Sequence, residues 1–212
     1  MISRQLGLFE RQSLEFDPTL SSVKRTLLPN AAWFDYVPGW LCGHWQLFEQ
    51  LSRECRWRHE QREMYERVVE VPRLYAMLPE DGPGHPVIVA MQDALSRHYG
   101  SRFERVGLAL YRDGRDSVAW HGDYVARTMP SALVATVSVG AQRRFLLRPA
   151  GGGRSLGLNL GSGDLLVMGG TCQRTWQHHI PKVARAEPRI AILFRPEWEA
   201  ASSPARPAPQ KQ

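Results

Sequence analysis

The feature that most constrains the fold is a change in hydrophobic pattern near Arg102. After it come eight short β-favouring runs, over residues 106–111, 118–121, 133–139, 145–148, 156–160, 164–168, 175–180 and 189–194. Turn-forming sequences separate them, such as Gly151-Gly152-Gly153 and Gly161-Ser162-Gly163. Many short strands joined by tight turns predict a jelly-roll sandwich, which can hold a ligand between its sheets.

Two helices are predicted before this region. The first covers residues 40–55, where a helical stripe follows Pro38-Gly39 and consists of Leu41, Trp45, Phe48, Leu51 and Cys55. The second covers residues 86–99, begins at Pro86 and ends before Gly100. The sequence therefore predicts a mainly β fold with flanking helices (α+β) around a double-stranded β-helix, or jelly-roll, core.

The domain organisation is expected to be simple. We expect a flexible leader over residues 1–28, one domain over 29–199 and a disordered tail over 200–212. Within the domain, residues 29–100 carry the helices and residues 101–199 the β core. No apolar run is long enough for a membrane span and no secretory signal is evident, so we expect a cytoplasmic monomer with reduced cysteines.

The charge pattern favours a polyanionic partner. The net charge is +6, and arginine supplies nearly all of the positive charge. A basic and aromatic segment contains Arg53, Arg56, Trp57, Arg58, Arg62, Arg67, Arg73 and Tyr75. Two simpler explanations stay open: an arginine bias of the genome, and a solvated helix face with Trp57 packed inward.

A metal site is indicated by Trp120-His121-Gly122-Asp123 at the end of a predicted strand. Residues two apart in an extended chain point to the same side, so His121 and Asp123 can bind one ion. A histidine from another strand would complete two histidines and one carboxylate, the ligand set of non-haem iron(II) oxygenases. Alone, the His-x-Asp pattern is also common without a metal.

Two arginines on a late apolar strand indicate an anionic ligand. Arg189 and Arg195 are six residues apart, so both side chains lie on one face. A buried guanidinium requires an anionic partner, and a pair of them suits a dicarboxylate. The alternative is that both arginines lie at strand ends and reach solvent.

The ordered combination of these motifs resembles the AlkB family of nucleic-acid dealkylases. The motifs are Tyr111-x9-His121-x-Asp123, Trp176-Gln177-His178-His179-Ile180-Pro181 and Pro188-Arg189-x5-Arg195. The resemblance covers residues 33–198 and is nearest to the bacterial and animal branch acting on double-stranded DNA. It implies His121, Asp123 and His178 as iron ligands. Adjacent strand residues face opposite sides, so only one of His178 and His179 can face the metal. The His-x-x-Pro spacing of the family and the face shared with Trp176 favour His178.

The resemblance also implies a cosubstrate site and a reaction. Arg195 would hold the distal carboxylate of 2-oxoglutarate, Arg189 would lie near its metal-chelating end, and Tyr111 would contribute its hydroxyl. Iron(II), 2-oxoglutarate and dioxygen would repair N-alkylated bases in DNA, with RNA as a further substrate, releasing succinate, CO2 and an aldehyde. The alternatives are a hydroxylase of a protein side chain or small molecule, and a nucleic-acid binding module without turnover.

Substrate contacts are expected from a nucleic-acid lid within residues 29–100 and from the loop after Asp123. The residues implied are Arg73, Tyr75, Val125 and Arg127, with Arg143 and Arg144 as further phosphate contacts. The chain departs from the family twice: Ala109 replaces an asparagine that contacts the cosubstrate, and Val125 replaces an acidic residue near the base. The second departure predicts a weaker preference for cationic methylated bases.

One short motif in the leader indicates a partner protein. Residues Gln5, Leu6, Leu8 and Phe9 resemble the peptide that bacterial replication proteins insert into the sliding clamp. Five-residue patterns also match by chance, and that alternative stays open.

Overall fold

The computed structural model describes residues 13–64, 67–123 and 129–197. Within these ranges the helices are α1 (His44–Glu54), α2 (Pro86–Tyr99) and α3 (Cys172–Thr175). The strands are β1 (Lys24–Leu28), β2 (Ala32–Val37), β3 (Arg58–Met64), β4 (Arg67–Leu78), β5 (Phe103–Tyr111), β6 (Val118–His121), β7 (Val134–Gly140), β8 (Arg143–Pro149), β9 (Leu156–Leu160), β10 (Leu165–Gly170), β11 (Trp176–Ile180) and β12 (Arg189–Pro196).

The strands form two antiparallel sheets. The larger has the order β1-β2-β10-β7-β12-β5-β4-β3, and the smaller has the order β6-β11-β8-β9. Helices α1 and α2 pack on the outer face of the larger sheet, against β7 and β5. The predicted mainly β, jelly-roll fold with flanking helices is confirmed.

The middle strand β12 shows how the layers are built. Ile190, Ile192 and Phe194 are buried in the core beneath the helices. The alternate residues Arg189, Ala191, Leu193 and Arg195 line a cavity between the two sheets. This alternation follows from the two-residue period of a strand. It is what brings both arginines to one face, as their spacing predicts.

Helix α2 has the predicted bounds, whereas α1 is shorter than predicted. The side chain of His85 accepts a hydrogen bond from Val87 N, and Gly100 ends α2 with a φ of 60°. Gly43, with a φ of 64°, precedes α1, so residues 40–43 are not helical. The predicted stripe is therefore wrong at Trp45, which is exposed, while Leu47 is buried instead.

The predicted flexible leader is wrong for residues 13–28. Lys24–Leu28 forms β1 at the edge of the larger sheet, and Leu20 is buried. Four of the five β1 residues are exposed, so this edge strand carries no apolar alternation that a sequence pattern could reveal. Residues 29–100, expected to hold helices, also contain β2, β3 and β4. Residues 1–12 and the predicted tail lie outside the described ranges.

Among the described residues, no helix is both long and apolar enough to cross a membrane. Cys42, Cys55 and Cys172 are free thiols, the first exposed and the other two buried. Burial raises the pKa of the Cys55 thiol to about 11 and that of Cys172 to about 12. Both buried thiols therefore stay protonated at neutral pH.

Candidate active site

Strand pairing in the smaller sheet brings the predicted metal ligands together. β6 and β11 run antiparallel, and His121 pairs in register with His178. Asp123 follows two residues beyond His121. The candidate ligand atoms of His121, Asp123 and His178 all lie within 4.8 Å of one another. This is the two-histidine, one-carboxylate set that leaves coordination positions open on iron(II).

The contacts of His121 and His178 favour metal binding by both imidazoles. His121 Nδ1 lies 2.8 Å from the carbonyl oxygen of Ala119. Because a carbonyl oxygen only accepts, Nδ1 carries a proton, so Nε2 is the nitrogen that is available to a metal. His178 stacks on Phe145 with ring centroids 5.5 Å apart. Burial, followed by the nearby His121, lowers the pKa of His178 to about 3, so its imidazole is neutral at pH 7.

Asp123 is held as a carboxylate. Arg195 Nε donates to its Oδ2 at 2.7 Å. Burial alone would raise the pKa of Asp123, but the charge of Arg195 and its hydrogen bond outweigh burial and lower that pKa far below its usual range. The site therefore offers one fixed negative charge beside two imidazoles, a set suited to a divalent cation.

His179 lies on the opposite face of the smaller sheet. Its ring stacks on Trp120 with centroids 4.9 Å apart, and its Nδ1 contacts the carbonyl oxygen of Val118. The guanidinium carbon of Arg148 also lies over the Trp120 ring, 4.1 Å from its centroid. The register thus agrees with the prediction that only His178 faces the cavity.

The two neighbouring histidines should respond differently to substitution. We expect His178→Ala to lose metal binding, because it removes one of three ligands. His179→Ala should keep most of its metal affinity, because it removes only a stacking contact behind the strand. Titration of both apoproteins with Co(II), followed by visible absorption, measures this difference. The opposite order of affinities would contradict the strand register.

The other end of the cavity is cationic. Tyr111 is buried there and its hydroxyl accepts a hydrogen bond from Arg73 Nη1 at 3.2 Å. The guanidinium carbons of Arg143 and Arg189 lie 5.5 Å and 5.4 Å from the centroid of the Tyr111 ring. Arg143 is fixed by three backbone carbonyls, those of Asp113, Asp116 and Pro181.

Arg189 is a buried cation that forms no ion pair with the described residues. It is 0% exposed, and its Nη2 donates to Ser138 Oγ at 2.8 Å. Within the described ranges, its Nε and Nη1 have no hydrogen-bond partner. Burial lowers the pKa of Arg189 to about 10. An uncompensated buried guanidinium is costly, so this arrangement indicates an anionic ligand.

One cavity joins the two ends. The metal group and Arg195 lie at one end, and Tyr111, Arg73 and Arg189 at the other. The positions of the two strand arginines are therefore the reverse of those that the resemblance implies. Arg195 is beside Asp123 and belongs to the metal end, whereas Arg189 lies with Tyr111 and suits the distal carboxylate.

Several predicted nucleic-acid contacts are elsewhere than expected. Arg143, a predicted phosphate contact, is buried, whereas Arg144 is exposed on β8. Arg73 lies inside the cavity, next to Ala109, rather than on an outer surface. Tyr75, the neighbouring predicted contact, is half-buried on β4 and does not line the cavity.

The basic segment before β4 is partly neutralised. Arg53 pairs with Glu54, while Arg56 and Arg58 both pair with the buried Asp81. Trp57 packs against the helix-side core, as the simpler explanation for this segment proposes. These pairs reduce the charge that the segment offers to a polyanion.

Other predictions fall outside the described ranges. They are the base contacts Val125 and Arg127 and the leader residues Gln5, Leu6, Leu8 and Phe9. These assignments stay predictions, as do the cytoplasmic location and the monomeric state.

Comparison with known proteins identifies the class. A family model described as the 2OG-Fe(II) oxygenase superfamily matches residues 82–202, more than half of the 212 residues. The chain belongs to this superfamily, which confirms iron(II), 2-oxoglutarate and dioxygen as its cofactor and cosubstrates. The residues present fit them, because the His-Asp-His group suits the metal and the orphaned Arg189 suits a carboxylate.

Individual relatives are AlkB homologues, which confirms the resemblance to the AlkB family. The chain is 32% identical over 171 residues to the bovine alpha-ketoglutarate-dependent dioxygenase alkB homolog 3, covering 70% of this chain and 60% of that protein. It is 35% identical over 120 residues to the DNA oxidative demethylase ALKBH2 of Arabidopsis thaliana, covering 45% and 38%. The chain thus spans less than two thirds of these relatives.

Solved structures show the same fold. The structure of OsALKBH1 superposes with a TM-score of 0.57 at 14% identity, covering 82% of this chain and 99% of that chain. A prolyl hydroxylase from Trichoplax adhaerens, in complex with a hypoxia inducible factor peptide, has a TM-score of 0.57 at 13% identity, covering 80% and 87%. At these identities the likeness concerns the fold alone.

Proposed function

We propose that this chain removes alkyl groups oxidatively from the bases of nucleic acid, with DNA as the first candidate substrate. The observation that carries the proposal is a single cavity with a His-Asp-His group at one end and a buried, unneutralised arginine at the other. That combination suits a divalent ion and a dicarboxylate. The names of the similar AlkB homologues and the net charge of +6 favour a nucleic acid as the substrate.

Five residues have distinct roles in this proposal. His121 Nε2, His178 and Asp123 hold the metal, and Arg195 keeps the Asp123 carboxylate ionised and oriented. When bound, iron(II) with 2-oxoglutarate and dioxygen supplies the oxidation of the alkyl carbon, which releases succinate, CO2 and an aldehyde. Arg189 binds the distal carboxylate of the cosubstrate.

Tyr111 and Arg73 complete the cosubstrate end. The Arg73 guanidinium donates to the Tyr111 hydroxyl, which fixes the orientation of that hydroxyl inside the cavity. Ala109, where the family has an asparagine, lies beside them and leaves room without adding a polar group. Arg73 therefore takes a cosubstrate role in our proposal, instead of the base contact expected from the motif.

The substrate must be delivered to a cavity between two sheets. A base stacked in a duplex cannot enter it, so the enzyme acts on single strands or flips the base out. Val125 and Arg127 follow the metal-binding turn in sequence and stay the proposed base and phosphate contacts.

A panel of methylated oligonucleotides tests this function. We expect formaldehyde and succinate in equal amounts from single- or double-stranded DNA that carries N-methylated adenine or cytosine, with RNA of the same sequence as a parallel arm. Unmethylated oligonucleotides control for cosubstrate turnover without repair. Succinate released with peptides but not with any oligonucleotide would favour the alternative, a side-chain hydroxylase, and would contradict the proposal.

A further inference from the structure

A buried glutamine contacts the turn that carries the metal-binding carboxylate. Gln173 lies in α3, the single helical turn between β10 and β11, and is 2% exposed. Its Oε1 accepts a hydrogen bond from the backbone N–H of Asp123 at 2.9 Å. Its own backbone oxygen packs against Gly122, where an added Cβ would lie 2.2 Å away. One residue therefore contacts both members of the Gly122-Asp123 pair.

Asp123 needs this support because its strand has already ended. The pairing of β6 with β11 reaches only to His121 and His178, so no ladder hydrogen bond fixes the backbone of Asp123. A buried backbone N–H without a partner is costly, and its acceptor decides where the residue sits. Among the described residues, Gln173 is the acceptor that the structure gives to this N–H.

We propose that Gln173 is a positioning residue of the metal centre. Its amide oxygen fixes the backbone of Asp123 so that the carboxylate faces His121 and His178. A neutral amide performs this task without adding a buried charge next to the metal ligands. Groups that orient metal ligands typically account for a 10- to 100-fold change in metal affinity or activity. The inference rests on the metal centre of the proposed function.

The test separates metal affinity from stability by using two substitutions. Gln173→Met keeps the length of the side chain but removes the acceptor, so we expect Co(II) affinity of the apoprotein to fall about 10- to 100-fold. Because the Asp123 N–H is left buried without an acceptor, its Tm should fall by about 2 to 12 °C. Gln173→Glu keeps an acceptor oxygen but buries a charge, so its Tm should fall further while its Co(II) affinity stays near that of the unmodified protein.

The decisive result is that Gln173→Met has the lower Co(II) affinity of the two variants, whereas Gln173→Glu has the lower Tm. If Co(II) affinity follows Tm in both variants, or if Gln173→Met binds Co(II) normally, the positioning role is wrong. If Gln173→Met does not fold, Gln173→Asn serves instead, because its shorter side chain withdraws the acceptor from Asp123.

Two further variants control the experiment. Gln177→Met changes a glutamine of the neighbouring strand that binds Arg148 on the outer face, and should leave Co(II) affinity unchanged. His121→Ala removes a proposed ligand. Normal Co(II) binding by His121→Ala would contradict the metal centre itself, whereas its loss together with normal binding by Gln173→Met would contradict the role of Gln173 alone.

Discussion

Replacement of Asp123 by alanine is expected to abolish succinate formation while the protein remains folded. Asp123 is the one anionic member of the His121, Asp123 and His178 group, so its removal leaves only two imidazoles for a divalent ion. Its ion-pair partner Arg195 is 26% exposed and can turn to water. The substitution therefore leaves no fully buried charge behind, and the loss of stability should be small.

Succinate release, metal affinity and circular dichroism of the same preparation measure this effect. Asp113→Ala is a matched control, because Asp113 pairs with the exposed Arg115 away from the metal group. It should retain turnover. An Asp123→Ala protein that forms succinate at the unmodified rate would show that these three residues are not the metal ligands.

Replacement of Arg189 by methionine should weaken 2-oxoglutarate binding without destabilising the apoprotein. The loss of a buried charge-assisted contact to the distal carboxylate costs about 3 kcal/mol, roughly 100-fold in affinity. In the apoprotein the same substitution should not lower the stability, because it removes a buried charge. The pKa of Arg189, lowered by burial from 12.5 to about 10, corresponds to a cost of about 3 kcal/mol for keeping the guanidinium charged.

A thermal-shift experiment distinguishes the two effects of Arg189→Met. We expect the Tm without cosubstrate to stay the same or rise, and the upward shift that 2-oxoglutarate causes in the Mn(II)-loaded protein to disappear. Arg144→Met, an exposed arginine on β8, should keep the full shift. A variant that unfolds at a much lower Tm and still responds to 2-oxoglutarate would assign Arg189 a structural role.

Sequence patterns predicted the β core and the metal-binding face because both depend on the local two-residue period of a strand. β6 and β9 have their predicted bounds, and the six-residue spacing of Arg189 and Arg195 brings both into one cavity. The N-terminal half was harder. β1 is an edge strand that pairs with β2, and only Leu28 among its five residues is buried, so no apolar alternation indicates a strand there.

The site roles of Gln173 and Arg73 were not predicted from the sequence, for the same physical reason. Gln173 reaches Asp123 across 50 positions of sequence, and Arg73 reaches Tyr111 across 38. Neither contact is marked by a local period in the sequence. Arg73 meets Tyr111 through the pairing of β4 with β5, and Gln173 meets Asp123 because α3 leads into β11, the partner of β6. The reversed positions of Arg189 and Arg195 also depend on long-range structure. Strand alternation fixes the face on which an arginine lies, but the end nearest the metal depends on the packing of the two sheets.

The position of β12 makes cosubstrate binding inseparable from completion of the fold. β12 is the last strand in the described chain, yet it lies between β7 and β5 in the middle of the larger sheet. During synthesis, β7 and β5 leave the ribosome before the strand that joins them, so the larger sheet stays in two halves until β12 inserts. Because that same strand carries Arg189 and Arg195, a nascent or truncated chain that lacks it has neither a closed sheet nor either arginine, and partly active fragments should not accumulate.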